Sequence, residues 1–327
     1  MLKHGGRLYE AAQQYQIPLH RWLDLSTGIN PEAYPIPAIP NSVWQRLPEE
    51  QDQLLSSASD YYQCDALLAV AGSQAAIQSL PLLRPRSAVG ILSPSYAEHA
   101  HAWQKAGHHT RSIAATDIDS HLNQLEVLIL VNPNNPTGQR FDPQQCLTWL
   151  ASLNKKKGWL IIDEAFIDCT PELSLSTLAP LPGLIILRSI GKFFGLAGIR
   201  VGFVLAEPAI LNALNEILGP WSVSNPSRFV CQHALQNTVW QKTMRKKLQQ
   251  QSQHLSTLLQ QHRLPPHGGT KLFQWVKTKQ AQKIHRQLAQ QAIFTRLFTQ
   301  PASLRFGLPA NNSQMQTLAM ALQKITL

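Results

Sequence analysis

The central part of the chain alternates short apolar runs with longer segments whose apolar residues recur at helical spacing. The short runs are Leu67–Val70, Ala88–Leu92, Val127–Val131, Trp159–Ile162, Leu184–Leu187 and Val201–Leu205. Such runs, bounded by turn-forming residues, indicate buried strands, and strands that alternate with helices form mainly parallel sheets covered on both faces. We therefore predict an α/β fold. Polar residues at the carboxyl ends of its strands are then the candidates for ligand binding.

The pattern changes after about residue 215, where a long glutamine-rich amphipathic helix is predicted to run through Arg263. Its predicted apolar face comprises Val239, Leu248, Leu255 and Leu258. Further strands and helices are predicted at Leu272–Val276, 281–291, Ser303–Gly307 and 313–325. We expect three parts: an N-terminal segment of residues 1–35 that packs on a small domain, a large domain of residues 36–214, and the small α+β domain of residues 215–327.

The composition is typical of a compact enzyme, since 44% of the 327 residues are hydrophobic and 15% are charged. No apolar run approaches 18 residues, and polar or charged residues such as His4, Arg7 and Glu10 interrupt any leader-like sequence. We therefore expect a cytoplasmic protein that does not associate with membranes.

The spacing of cysteines and histidines argues against a structural metal and against disulfides. The four cysteines form no Cys-x-x-Cys pair, which favours reduced structural cysteines. Histidines cluster between positions 99 and 109, but His99 and His101 would not share one face of a helix, and no group of carboxylates joins them. We expect no metal site.

The formal net charge of +10 has two interpretations, a nucleic-acid partner or a small anionic substrate. The basic residues look dispersed, and the densest run, Lys155–Lys157, falls where a helix is predicted to end before a strand. A solvated helix end explains that run better than a nucleic-acid site. We therefore expect a small anionic substrate and no nucleic acid.

Lys192 is the most informative single residue, because it lies among glycines between two predicted strands, after Ser189 and before Arg200. A lysine amine that is held near its neutral form traps an aldehyde as a Schiff base, whereas a lysine in a glycine turn could also be merely solvated. Ser189 and Arg200 could hold the phosphate of such an aldehyde. Gly72–Gln74, at a predicted strand-to-helix junction, offers backbone N–H groups suited to the same phosphate.

Two further strand ends carry polar residues. Asn132–Gly138 follows a buried strand with a high density of turn formers, and its side-chain amides could point into the crevice at the strand ends. Asp163 ends the next buried strand. A buried carboxylate needs a cationic or hydrogen-bonding partner, and a pyridinium nitrogen would serve.

Taken together, Asn134–Gly138, Asp163–Phe166, Ser189–Lys192 and Gly198–Arg200 resemble, in their order, the motifs of the fold-type I aminotransferase family of class I and II. The enzymes of this family use pyridoxal 5′-phosphate (PLP), and the resemblance extends over most of the chain. It implies PLP as cofactor, a PLP-dependent transferase fold with a mainly parallel, seven-stranded type of sheet, and a homodimer.

The resemblance implies a role for each matching position. Lys192 would form the Schiff base with the cofactor and later move a proton, and Asp163 would keep the pyridine nitrogen protonated. Asn135 would bond the phenolic oxygen of the ring, on which Tyr96 would stack. The predicted phosphate cup comprises Gly72, Ser73, Gln74, Ser189 and Arg200.

Two positions depart from the family pattern. Phe166 stands where many members have a tyrosine that also bonds the phenolic oxygen, so that Asn135 would act alone. Leu47 stands where many relatives have a tyrosine that reaches the cofactor phosphate of the neighbouring subunit. The resemblance therefore does not support this contact across a dimer.

Two N-terminal segments, His4–Gly6 and Asp24–Pro31, resemble the branch of the family that contains L-threonine O-3-phosphate decarboxylases of cobalamin biosynthesis. In that branch the His-Gly-Gly segment helps to hold the substrate phosphate. Arg305 would bind the α-carboxylate, for which a planar guanidinium is suited, and Arg296 would be a second substrate arginine. The predicted substrate-binding residues are His4, Gly5, Gly6, Gly28, Asn135, Arg296 and Arg305.

The resemblance thus implies a lyase that releases CO₂ and (R)-1-amino-2-propanol O-phosphate. A histidinol-phosphate aminotransferase is the first alternative, because it also handles a phosphorylated amino substrate with nearly the same residues. A non-catalytic regulator that binds PLP or nucleic acid is the second, suggested by the net charge. No helix-turn-helix extension in the sequence supports this second alternative.

Overall fold

The computed structural model describes residues 4–326, so that Met1–Lys3 of the predicted N-terminal segment and Leu327 lie outside it. The chain divides into two compact units. Unit 1 contains residues up to Ala33, Pro136–Gln139 and the chain from Lys242 onward, and unit 2 contains Tyr34–Asn135 and Arg140–Gln241. Within the described range, no helix has the length and apolar character that crossing a membrane requires.

The strands are β1 (Leu23–Leu25), β2 (Leu67–Val70), β3 (Ala88–Leu92), β4 (His109–Ile113), β5 (Val127–Val131), β6 (Trp159–Asp163), β7 (Leu184–Ser189), β8 (Gly202–Leu205), β9 (Gly268–Thr270), β10 (Phe273–Lys277), β11 (Ile293–Thr299) and β12 (Ala302–Gly307). The α-helices are α1 (Leu8–Tyr15), α2 (Asn41–Gln45), α3 (Leu54–Tyr62), α4 (Ser73–Ser79), α5 (Ala97–Lys105), α6 (Ile118–His121), α7 (Pro143–Asn154), α8 (Pro208–Leu218), α9 (Asn225–Gln236), α10 (Thr238–Gln261), α11 (Ala281–Ala289) and α12 (Asn312–Gln323).

Unit 2 is built on a seven-stranded sheet in the order β2-β8-β7-β6-β5-β3-β4. Strands β3 to β7 pair in parallel, and β8 runs antiparallel to both β7 and β2. The central strands are wholly apolar over most of their length because both of their faces are covered. This architecture confirms the predicted α/β fold with a mainly parallel sheet.

The core of unit 2 lies against this sheet. Val127, Ile129 and Ile161 of the central strands are buried together with Trp103 of α5 and Ile77 of α4. Because the strands in the middle of the sheet are covered, their carboxyl ends are held in register. Asp163 is level with Val131 of β5 and with Leu187 of β7.

Unit 1 has a second sheet of five strands in the order β1-β11-β12-β10-β9. Strand β1 pairs in parallel with β11, and the other pairs are antiparallel. Helix α11 buries Ala281, Ile284 and Leu288, which recur at helical spacing on one face. Trp22 packs in a small apolar cluster with Ala11 of α1.

The prediction of one long helix from about residue 215 through Arg263 is wrong. Three helices, α8, α9 and α10, occupy this region, because Gly219 with a positive φ ends α8 and is followed by a proline. Val239 is 74% exposed, and Leu258 is only partly buried. The buried positions of α10 are Gln241, Met244, Leu248, Ser252, Leu255 and Leu259.

The division into compact units differs from the three parts expected from the sequence. Residues 215–241 belong to unit 2, and the short segment Pro136–Gln139 belongs to unit 1. The boundaries at residues 35 and 214 stay predictions about independently folding parts. The boundary between the two compact units lies inside α10.

A buried ion network holds the carboxyl ends of β6 and β7 together. Arg188 donates to Glu164 through Nη1 at 2.9 Å and to Asp168 through Nη2, and all three side chains are buried. The guanidinium also lies 4.4 Å from the centre of the Tyr62 ring. Burial raises the pKa of Glu164, and the positive charge of Arg188 opposes this shift.

We expect Arg188→Met to lower the free energy of unfolding by about 3–5 kcal/mol, because two carboxylates would be left buried without their cation. Chemical denaturation of the purified protein measures this. Arg111→Met is the matched control, since Arg111 is exposed on the edge strand β4 and its loss should cost less than about 0.5 kcal/mol. Equal destabilisation by both substitutions would contradict the role assigned to the network.

Candidate active site

The carboxylate of Asp163 lies at the carboxyl end of β6, where it is 2% exposed. Its Oδ1 accepts a hydrogen bond from the backbone N–H of Ala165 at 3.0 Å, and its Oδ2 lies 3.0 Å from Nε2 of His99. An ionised carboxylate only accepts hydrogen bonds, so the imidazole donates in this contact. The carboxylate expected at this strand end is therefore buried and held in orientation from two sides.

His99 is a site residue that the sequence analysis did not identify. It lies on α5, is buried, and forms an edge-to-face contact with Tyr96 at 6.2 Å between ring centres. Tyr96 itself lies just before α5, as the N-cap residue of the helix. The four histidines were instead weighed as metal ligands, and the described residues contain no group of three or more potential ligands.

Residues of the predicted phosphate cup lie where β2 and β7 end and β8 begins. Gly202 pairs with Ser189 of β7 and with Val70 of β2, which brings the strand ends side by side. A side chain at Gly202 would place Cβ 2.6 Å from the backbone nitrogen of Ser73. Gly72 has φ +74°, and Cβ there would lie 2.6 Å from Nη2 of Arg200.

These contacts bring four of the predicted cup residues together: Gly72, Ser73, Ser189 and Arg200. Each brings a suitable donor: backbone N–H groups at the start of α4, a hydroxyl and a guanidinium. The two glycines are required because the backbone and Arg200 approach too closely for any Cβ. The arrangement can hold a phosphate group.

Gln74 connects this cup to Tyr96. Its side-chain oxygen accepts a hydrogen bond from the hydroxyl of Tyr96 at 3.2 Å, and its Nε2 donates to Glu98 at 2.9 Å. Both polar atoms of the Gln74 amide are thus hydrogen-bonded to neighbouring side chains. Gln74 fixes the orientation of the tyrosine that the resemblance expects to stack on the cofactor.

The asparagines that follow β5 have different tasks. Asn132 closes its loop by pairing with the backbone of Phe141, at 3.1 Å to the N–H and 3.3 Å to the carbonyl oxygen. Asn134 donates to the carbonyl oxygen of Pro94 at 2.8 Å and accepts from the hydroxyl of Ser95 at 2.8 Å. Both hold the loop rather than point into a crevice. Asn135, the predicted ring-binding residue, is half-buried.

Lys192 follows β7 by three residues and is half-buried. The aromatic residues after it, Phe193 and Phe194, are buried, and Phe194 stacks on Trp240 at 5.7 Å. The apolar anchor fixes the backbone on which the lysine is carried. Its side chain is partly shielded from water.

The two departures from the family pattern lie in different surroundings. Phe166 is buried beyond the end of β6, so the position is filled by packing. Leu47 is 62% exposed and lies after α2. The substitution at 47 therefore leaves an apolar side chain on the surface of unit 2.

In unit 1, the two predicted substrate arginines lie directly opposite each other on neighbouring antiparallel strands. Arg296 of β11 pairs in register with Arg305 of β12. Residues directly opposite each other share one face of a sheet, and like charges at such positions repel. Burial and the charge of Arg296 lower the pKa of Arg305 to about 9, and Asp24 opposes the shift. A cation pair of this kind is suited to a ligand with more than one negative charge.

The N-terminal substrate residues lie close to Arg305. The guanidinium of Arg305 donates through Nη2 to the carbonyl oxygen of Ser26 at 2.8 Å, and the N–H of Gly6 donates to the Ser26 hydroxyl at 2.8 Å. Gly28 is buried two residues further on. His4 and Gly5 belong to the same segment as Gly6. Unit 1 thus collects the predicted substrate residues of both chain ends.

The positive charge is segregated rather than dispersed, which corrects the expectation from the sequence. Residues 217–327 contain no Asp or Glu and 14 Lys or Arg. The side-chain carboxylates of unit 1 are therefore Glu10, Asp24 and Glu32, all from the N-terminal part. An excess of one charge sign attracts ligands of the opposite sign.

Comparison with known proteins gives a consistent set of relatives. The family described as "Aminotransferase class I and II" matches residues 45–325. The chain is 52% identical to a threonine-phosphate decarboxylase of Pseudomonas aeruginosa over 98% of this chain and 97% of that protein. It is 39% identical to a threonine-phosphate decarboxylase of a Sinorhizobium species over 99% of this chain and 98% of that protein.

Relatives named histidinol-phosphate aminotransferase match less of the chain. One from Haemophilus influenzae is 31% identical over 58% of this chain and 58% of that protein. A solved structure of the enzyme of this name from Sinorhizobium meliloti, in complex with pyridoxal-5′-phosphate, has a TM-score of 0.82 at 20% identity. The similarity covers 98% of this chain and 94% of that chain, and it shows the same fold.

We expect Gly202→Ala to weaken the binding of PLP about tenfold or more, because the added methyl group would displace the backbone of Ser73 or Arg188. Titration of the cofactor-free protein with PLP, followed by absorbance or fluorescence, measures the dissociation constant. Gly198→Ala is the matched control, since Cβ there would meet nothing within 4 Å. An unchanged dissociation constant in the Gly202 variant, with the fold intact, would show that the cup lies elsewhere.

Proposed function

The chain belongs to the class I and II aminotransferase family, and from this membership we propose that it is a PLP-dependent lyase that decarboxylates L-threonine O-3-phosphate. The observation that carries the proposal is the 52% identity to a threonine-phosphate decarboxylase over nearly the full length of both chains. The products would be CO₂ and (R)-1-amino-2-propanol O-phosphate, which places the reaction in cobalamin biosynthesis.

The residues of unit 2 fit PLP. The phosphate-binding donors would converge at the start of β8, where Gly72 and Gly202 leave no room for a side chain. Asp163 is a buried carboxylate that a protonated ring nitrogen can pair with, and the aromatic ring of Tyr96 packs edge-to-face against His99. Unit 2 therefore offers a suitable residue type for the phosphate, for the protonated ring nitrogen and for the aromatic ring of the cofactor.

When bound, PLP supplies an electron sink for the charge that is left on Cα after a bond to it breaks. The chain's own residues then decide which bond breaks and where the proton goes. Asp163 is held in orientation by its contacts with Ala165 and His99, and its carboxylate would pair with a protonated group facing it. Lys192 delivers a proton to Cα from Nζ after CO₂ has left.

The residues of unit 1 provide recognition of the substrate. Arg305 binds the α-carboxylate, and Arg296 and His4 bind the phosphate. The field of a unit with few carboxylates attracts a substrate that carries several negative charges. Holding both ends of the substrate sets the Cα–carboxylate bond in one direction, and this direction decides between loss of CO₂ and loss of a proton from Cα.

The histidinol-phosphate aminotransferase alternative rests on nearly the same residues, because its substrate also carries an amine and a phosphate. In sequence, the Haemophilus influenzae relative of that name aligns with only 58% of this chain, whereas the decarboxylases align with nearly all of it. The non-catalytic regulator has no support among these relatives. It nevertheless defines a test, because such a protein would keep its function without Lys192.

We expect the purified protein with PLP to release CO₂ from L-threonine O-3-phosphate without any 2-oxo acid, and Lys192→Ala to abolish this release. Trapped CO₂ and the phosphorylated amine product measure the reaction. Transfer of the amine to a 2-oxo acid without CO₂ would support the aminotransferase instead. Absence of both activities, with the absorbance of bound PLP retained in Lys192→Ala, would support the regulator.

We further propose a homodimer in the cytoplasm. Six large apolar side chains of unit 2 are more than half exposed, and four of them are Ile36 at 59%, Trp44 at 64%, Leu47 at 62% and Trp221 at 60%. Trp221 lines one small depression together with Pro48, the neighbour of Leu47 in the sequence. Exposed apolar groups of this kind mark protein interfaces. The four buried, free cysteines are consistent with a reducing compartment.

We expect Trp44→Glu combined with Leu47→Glu to convert the dimer to a monomer, because two charges would be buried at the interface. Light scattering after size-exclusion chromatography measures the mass. Val239→Glu is the control, since Val239 is equally exposed but lies elsewhere on the surface of unit 2. A wild-type protein of monomer mass would contradict the proposal, and so would a dimer that persists in the double variant.

A further inference from the structure

Ser26 lies in unit 1 just after the end of β1, and it forms hydrogen bonds with several other residues. It is fully buried. Its hydroxyl donates to Oδ1 of Asp24 at 2.6 Å and accepts from the N–H of Gly6 at 2.8 Å. Its carbonyl oxygen accepts from Nη2 of Arg305 at 2.8 Å. One residue therefore connects the N-terminal segment to a predicted substrate arginine.

The direction of these hydrogen bonds is set by Asp24. A serine hydroxyl has one proton to donate and lone pairs to accept with, and a carboxylate can only accept. Asp24 therefore accepts a hydrogen bond from the Ser26 hydroxyl. The lone pairs of the hydroxyl oxygen remain available to accept from the N–H of Gly6. The same oxygen of Asp24, Oδ1, also accepts a hydrogen bond from the backbone N–H of Ser26 at 2.8 Å.

The glycines of the His4–Gly6 segment are explained by this contact. A Cβ at Gly5 would lie 2.3 Å from the carbonyl oxygen of Ser26, so the segment reaches this position only with glycine. Gly6 has φ +78°, a conformation that glycine adopts at little cost. On the other side of the turn, a Cβ at Gly307 would lie 2.4 Å from the carbonyl oxygen of Thr27. The turn at Ser26 is thus enclosed by close backbone contacts on both sides.

We propose that Ser26 is a positioning residue that holds His4–Gly6 and Arg305 in one fixed arrangement, so that the two anionic groups of a substrate are bound together. It does not touch the substrate in this proposal and acts only through the segment and the arginine. The inference rests on the proposed function for the identity of the substrate. The arrangement itself rests on the contacts within unit 1.

The first test needs no activity. We expect Ser26→Ala to accelerate the exchange of the backbone amide hydrogen of Gly6 about tenfold, which corresponds to the loss of one hydrogen bond. Hydrogen exchange of the holoenzyme, read on the peptide that contains residues 4–10, measures it. Ser303→Ala is the matched control, because Ser303 is equally buried in the same unit and donates only to the carbonyl oxygen of Pro301 at 2.8 Å. Equal exchange in the two variants would overturn the proposal.

The second test separates positioning from general structural support. We expect Ser26→Ala to lower kcat/KM for L-threonine O-3-phosphate about tenfold, mainly through KM, because one hydrogen bond that orders the binding segment is lost. The rate with unphosphorylated L-threonine should stay equally low in the variant and in the Ser303→Ala control. A loss of the same size with both substrates would indicate a structural role and contradict the proposal.

A double-mutant cycle completes the design. If Ser26 acts through His4–Gly6, Ser26→Ala should add little in a chain from which residues 2–6 have been deleted. Fully additive losses in kcat/KM would overturn the proposal. If the wild-type enzyme releases no CO₂ from L-threonine O-3-phosphate, the proposed function fails. The exchange of the Gly6 amide still decides whether Ser26 holds the segment.

Discussion

The alternation of side chains along a strand is the constraint on which the chemistry of unit 2 depends. Consecutive residues of a strand point to opposite faces of the sheet. Asp163 therefore meets His99 on one face, while Glu164 meets Arg188 on the other. Strand β7 repeats this division, because Arg188 joins the buried ion network and Ser189 lies beside Gly202 in the phosphate cup. Each strand end contributes one residue to chemistry and the next to its support.

In unit 1, the antiparallel register places two residues side by side on one face of the sheet instead of separating them onto opposite faces. There the sheet brings two like charges together, Arg296 and Arg305, at a cost that an anionic ligand offsets. The surrounding backbone is held by glycines and by Ser26 rather than by counter-ions. Asp24 is the nearby carboxylate, and it is already engaged with the serine.

The parts that were predictable from the sequence are those with a continuous local signal. Wholly apolar runs identified β3, β5 and β6 within a residue of their observed bounds, because covered strands need apolar residues on both faces. Strands β1, β4 and β9 were not predicted, since they lie at sheet edges and are short or carry polar residues, and β11 was not predicted because Thr295, Arg296 and Thr299 interrupt its apolar residues. The single long helix was mispredicted because periodicity alone does not reveal a break at Gly219. His99 was missed because its partner, Asp163, is distant along the chain, and no local pattern reports such a contact.

The distribution of carboxylates has a consequence for the response of the molecule to acid. Acid unfolds proteins chiefly by protonating carboxylates that are paired or hydrogen-bonded in the native state. Residues 217–327 contain no Asp or Glu, so lowering the pH protonates no side-chain carboxylate in this part of the chain. Unit 2 contains the buried carboxylates Asp163, Glu164 and Asp168. Acid sensitivity should therefore be concentrated in unit 2, and in unit 1 only the side-chain carboxylates of the N-terminal part, Asp24 beside Ser26 among them, can respond to acid.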